Sequence, residues 1–146
     1  MSIFKDKLEN LLLTFRIKKN KPISTTNISS VLSQLGPVPE ELIEFYEVTN
    51  GLSYGWFKVL PIEDKLNIKK TWDSIQKANE LQKSKYLDGN DELFKRFLIF
   101  CVIGGGNVAM IDRNDFSIWY EEDDLHQTDF SLFEFIETEF KEVQEL

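Results

Sequence analysis

Phe97-Leu98-Ile99-Phe100-Cys101-Val102-Ile103, then Gly104-Gly105-Gly106, then Asn107-Val108-Ala109-Met110-Ile111 is the stretch on which the fold turns. Seven consecutive apolar residues predict a strand covered on both faces. The glycines make a tight turn, and residues 107–111 predict the returning strand. Asp112-Arg113-Asn114-Asp115 is a second turn, rich in side chains that hydrogen-bond their own backbone. Residues 116–121 then predict a third strand, and two hairpins in succession make an antiparallel meander.

Helices flank this meander. On the C-terminal side, Ser131-Leu132-Phe133-Glu134 matches a capping box, in which serine and glutamate satisfy each other's backbone N–H groups. Phe130 and Phe135 are spaced for a hydrophobic staple. Leu132, Phe133, Ile136, Phe140 and Val143 are expected to cover the sheet. On the N-terminal side, Phe4, Leu8, Leu11, Leu12 and Phe15 make one apolar stripe and predict a helix over residues 3–19. Residues 27–35 predict a second helix, with Ile28, Val31, Leu32 and Leu35 inward, Thr25 or Thr26 as cap, and Gly36-Pro37 as stop. Pro39 is expected to open a third helix, with Glu40 and Glu41 complementing its dipole and Asn50-Gly51 ending it. Leu42, Phe45, Tyr46 and Val48 form its buried face. Residues 56–60 read as a strand stopped by Pro61. Residues 71–85 read as a helix with Trp72, Ile75 and Leu81 partly inward, followed by a loop over 86–91. The fold class expected is therefore α+β: a mostly antiparallel sheet with N-terminal helices and a C-terminal helix packed on it. No linker, repeat or low-complexity tract divides the chain, so residues 1–146 are expected to form one domain.

Composition narrows the function. The 42% hydrophobic and 13% aromatic content belongs to a packed globule. The N-terminal residues scatter charges and show no signal-peptide core, and no apolar run approaches a membrane span, so a cytoplasmic protein is expected. The net charge of −8 is uneven: residues 1–21 carry +4, and residues 112–146 carry −10. Overall acidity argues against a nucleic-acid binder, which needs cations to neutralise phosphates. It suits a basic protein partner, because opposite fields speed encounter.

The motifs for chemistry are thin. Gly104-Gly105-Gly106 leads into a strand, whereas a phosphate cradle leads into a helix or ends in Gly-Lys-Ser/Thr. Asp112, Asn114 and Asp115 echo a calcium loop without its central glycine or terminal glutamate. Cys101 sits in the apolar run and reads as a buried structural thiol. His126 is the only histidine, and it cannot build a common zinc site without cysteines. No Gly-x-Ser-x-Gly elbow occurs. Glu121-Glu122-Asp123-Asp124 reads either as a solvated loop or as a docking patch for a basic partner, with catalysis or cation capture as lesser alternatives. No cofactor is expected, and no enzymatic role is supported.

The order of these signals resembles the SUKH superfamily. The resemblance rests on Pro39-Glu40-Glu41-Leu42-Ile43-Glu44-Phe45-Tyr46 followed by Asn50-Gly51, on residues 97–112, on Ser117-Ile118-Trp119-Tyr120, and on Ser131-Leu132-Phe133-Glu134-Phe135-Ile136. It covers roughly residues 26–140. Family members often carry an acid in the glycine turn, and this chain has none there. The family includes yeast cell-wall assembly regulators and bacterial immunity proteins that neutralise secreted polymorphic toxins, frequently nucleases. The resemblance implies helices packed around a mixed or antiparallel sheet and no catalysis, and it supplies no fixed site residues. The expected function is binding and occlusion of a cognate toxin, foremost a basic nuclease domain. Asp112, Asp115, Glu121, Glu122, Asp123 and Asp124 would supply the field; Tyr54, Trp56, Trp119 and Tyr120 would be aromatic anchors. By strand alternation, either Trp119 or Tyr120 should face the core. The alternatives are an intracellular scaffold or regulator with several partners, and a small metal-dependent hydrolase.

Overall fold

The computed structural model describes residues 2–80, 87 and 90–145. Among these, the chain runs α1 (Ile3–Thr14), α2 (Thr25–Leu35), α3 (Glu40–Val48), β1 (Leu52–Tyr54), β2 (Phe57–Val59), α4 (Ile68–Thr71), α5 (Ile75–Asn79), α6 (Asp91–Arg96), β3 (Phe97–Val102), β4 (Val108–Asp112), β5 (Ile118–Glu122), β6 (Asp124–Gln127) and α7 (Leu132–Gln144). The six strands form one antiparallel sheet in sequence order. The α+β class expected from the sequence is the one observed. No helix among the described residues is long and apolar enough to cross a membrane.

The meander forms as its pattern dictates. All five residues of β4 are buried, and β3 is buried from Phe97 to Cys101. Gly105 and Gly106 take positive φ in the turn between them, a conformation that costs glycine nothing. The 112–115 turn closes with the Phe116 N–H donating to the Asp112 carbonyl. Strand β5 starts at Ile118 rather than 116, because Phe116 is left-handed at φ 62° and belongs to that turn.

Helices α1, α3 and α7 lie on one face of the sheet. Phe15 contacts Tyr54 and Phe140, and Phe57 and Phe100 pack on Phe135. The buried Tyr46 hydroxyl of α3 donates to the Leu60 carbonyl beyond β2. The Asn50-Gly51 pair does more than end a helix. Asn50 exchanges two hydrogen bonds with the Ile62 backbone, at 2.9 and 2.8 Å. Gly51 sits at φ 74°, and a Cβ there would come within 2.7 Å of the Val59 carbonyl oxygen.

Several expectations are corrected. Helix α1 stops at Thr14, not 19: Arg16 turns left-handed, and the Ile17 and Arg16 N–H groups return to the Leu12 and Leu13 carbonyls, a Schellman closure. The cap of α2 is Ser24, whose hydroxyl accepts from the Asn27 N–H. Pro39 is the N-cap of α3 rather than its first helical residue. The strand expected over 56–60 spans Phe57–Val59, and β1 before it was not foreseen. Of the helix expected over 71–85, the described part is broken: α4 ends at Thr71 and α5 covers Ile75–Asn79, while residues 81–85 lie outside the described residues. Thr71 is pinned by hydrogen bonds with the backbone of Asp64 and Asn67, and Ser74 caps a new start. Trp72 is 61% exposed instead of inward, with Lys77 over its ring, while Ile75 is buried. Leu81 and residues 86, 88 and 89 of the loop expected at 86–91 lie outside the described residues, and Asp91 opens α6 instead of ending that loop. On α7 Phe140 is buried against the sheet as expected, Phe135 joins it there, and Phe133 is half-buried at the edge of the core.

Candidate functional site

Helix α7 positions the site. Its capping box forms as expected: the Ser131 N–H donates to the Glu134 carboxylate at 3.0 Å, and the Glu134 N–H donates to the Ser131 hydroxyl at 3.2 Å. The buried stripe that follows reads Leu132, Phe135, Ile136, Glu139, Phe140. A carboxylate thus stands where the helical period calls for an apolar side chain.

Glu139 opens onto a cleft of about 390 Å³ between α7, β5 and the β1–β2 turn. Trp56, Tyr120, Phe130 and Phe135 form its aromatic walls, and Glu122, Glu139 and Glu142 supply its carboxylates. Trp56 and Phe130 are 37% and 41% exposed, large apolar surface left facing the opening. Gly104 belongs to the same wall: a Cβ there would meet the Trp56 indole at 3.4 Å.

The electrostatics are lopsided. Glu139 is only 7% exposed. Burial first, then the charge of Glu142 and a hydrogen bond to it, push the Glu139 carboxyl up to about 7. Among the described residues no group of three or more His, Cys, Asp or Glu is placed to hold a metal ion.

The residues expected to bind a partner divide among four places. Trp56 and Glu122 line the cleft. Glu121 to Asp124 do not form a loop after the sheet. They lie in the β5–β6 hairpin, where Glu121 pairs with Leu125, Glu122 pairs with Asp124, and Asp123 turns the chain at φ 64°. Strand β6 was not foreseen. Its His126 stacks on Tyr120 at 4.9 Å, and its ring Nε2 lies 3.1 Å from the Glu122 carbonyl.

Asp112, Asp115 and Trp119 gather at the other end of β5. Asp112 is committed to the fold: its carboxylate, 5% exposed, accepts from Arg96 Nε at 3.1 Å and from the Asn114 N–H at 2.9 Å. It contributes no open negative field. Asp115 is exposed, and the Ser117 hydroxyl and N–H hold its carboxyl below the usual range. The Trp119 ring rests on Phe97, with the Arg96 guanidinium 4.8 Å above it. Trp119 and Tyr120 take opposite faces, as alternation requires, and both are half-buried and packed against the hydrophobic core, so neither is a free anchor. Tyr54 packs against Phe15 and Phe140, away from the cleft.

Glu139 and Glu142 were missed by the sequence reading. The signal was present: Glu139 interrupts the apolar stripe of the helix whose other positions were placed against the sheet. Cys101 is buried, and burial raises its thiol well above the usual value, as a structural cysteine requires. A separate groove gathers the opposite charge, with Lys18, Lys19, Lys21 and Lys70 around Asn20 and Asp64. The family model described as SMI1 / KNR4 family (SUKH-1) matches residues 22–138. A search of curated proteins returns no match.

Proposed function

The chain belongs to the SMI1/KNR4 family (SUKH-1), and from that premise we propose that it is an immunity protein: it binds a cognate toxin, foremost a basic nuclease domain, and blocks it by occlusion without catalysing a reaction. The observation that carries this proposal is the joining of two features on one surface. The aromatic cleft under α7 and the acidic β5–β6 hairpin share Tyr120 and Glu122. Aromatic surface that can be desolvated supplies binding energy at an interface centre. A surrounding field of carboxylates supplies steering and selects a basic partner. A nuclease must attract phosphate, so its active surface is basic and complements such a patch. Toxin neutralisation would take place in the cytoplasm of the producing cell.

The test is association kinetics. Glu121→Gln, Glu122→Gln, Asp123→Asn and Asp124→Asn combined should slow association with a basic toxin domain by about tenfold or more at low ionic strength, with the difference shrinking in salt. An unchanged association rate would remove the hairpin as the docking site. A scaffold serving several partners is the second reading, favoured by the family's inclusion of SMI1 and KNR4. One stoichiometric partner whose activity is lost on binding separates immunity from scaffolding.

A further inference from the structure

We propose that the cleft under α7 is a receptor for one arginine side chain of the partner, with the guanidinium entering between Trp56, Tyr120 and Phe130 and held by Glu139 and Glu142. This names what the surface proposed above recognises, and it depends on that partner-binding role.

Three observations converge. The first is Glu139 itself, 7% exposed and lining the cleft. Its polar partner is another acid, Glu142, and among the described residues no cation compensates it. A buried carboxylate left this way is costly, and a cation arriving from outside removes the cost. The second is the chemistry of the walls. Aromatic faces attract cations, a planar guanidinium stacks on them, and its fork of N–H donors matches adjacent carboxylates better than an ammonium does.

The third lies elsewhere in the same molecule. The Arg96 guanidinium sits 4.7 Å from the Phe97 ring and 4.8 Å from the Trp119 ring, and its Nε donates to buried Asp112 at 3.1 Å. The fold therefore already contains one cluster in which an arginine caps two packed aromatic rings and pairs with a buried carboxylate. The cleft under α7 repeats the rings and the carboxylates and lacks the arginine.

The test titrates the intact protein with the blocked tripeptide acetyl-Gly-Arg-Gly-amide and with its citrulline counterpart, which keeps the shape and loses the charge. Chemical shifts of the Trp56 indole N–H report occupancy. The arginine peptide should shift that signal saturably and bind about tenfold tighter than the citrulline peptide. The double variant E139Q/E142Q should reduce its affinity to the citrulline level. Should that variant not fold, Glu142→Gln at an exposed position should still weaken the arginine peptide selectively. Equal binding of the two peptides, a Trp56 signal unmoved by arginine, or unchanged affinity in the variants overturns the proposal. The peptide assay contains no toxin. If E139Q/E142Q captured a basic toxin with wild-type affinity, the arginine receptor would fall and the immunity role would stand.

Discussion

Replacing Glu139 by glutamine should make the protein more stable above neutral pH and leave it nearly unchanged in acid. The carboxyl titrates at about 7 in the folded chain against an ordinary value of 4.5. The groups around it do nothing to lower it: Glu142 lies on α7, Cys101 on β3 interacts unfavourably with its charge, and Glu122 and Tyr120 of β5 line the same cleft. Below the unfolded value both states hold the proton, and the native state bears no penalty. Between 4.5 and about 7 the unfolded chain ionises while the native pair keeps its proton, so stability falls as pH rises. Above that window both states are ionised, and the loss is constant. Each pKa unit is worth about 1.4 kcal/mol, which caps the loss at about 3.5 kcal/mol. Water in the cleft mouth screens the charge, which brings the expected loss to about 1–2 kcal/mol. The proton belongs to the Glu139–Glu142 pair, so the midpoint is a property of both. Urea denaturation of the wild type and Glu139→Gln at pH 5, 7 and 8.5 reads this directly. A stability difference that stays constant across that range would refute the account of a buried, uncompensated carboxyl.

Other consequences are structural. Asn50→Ala removes both hydrogen bonds to the Ile62 backbone and should cost about 2–4 kcal/mol by denaturant titration. Gly51→Ala forces a Cβ against the Val59 carbonyl at a positive φ, so a loss of at least about 2 kcal/mol is expected in the same assay. Asp112→Asn weakens the ion pair with Arg96 and should lower stability by about 1–2 kcal/mol. It should leave the association rate with a basic partner unchanged, since that carboxylate is spent inside the fold; a slowed rate would restore Asp112 to the docking surface.

What the sequence made legible was local pattern. The run from Phe97 to Ile103, the glycine turn and the 112–115 turn each announce themselves within a few residues, so the centre of the sheet was readable. Strand β6 was not, because Asp124-Leu125-His126-Gln127 is an edge. Edge strands carry charge in place of an apolar alternation, which hides them among loops. The break at Ser74 was hidden for another reason: Thr71 and Ser74 act through hydrogen bonds to Asp64, Asn67 and Lys77 that no periodicity records. The candidate site was half-visible. Its acidic hairpin and Trp56 stand out as residue types. The cleft that joins them to Glu139 and Glu142 exists only once α7 has crossed the sheet. Asp112 is the converse case, an acid whose type suggested a surface and whose neighbours, Arg96 and Asn114, make it interior.

The most direct test of the account is hydrogen exchange on the complex with a basic toxin domain. Exchange should slow along β5 and β6 and in the second half of α7, where the cleft closes over its occupant, with residues 18–21 and 65–71 of the lysine groove unchanged. Protection confined to the lysine groove, with the hairpin and α7 exchanging as in the free protein, would contradict it.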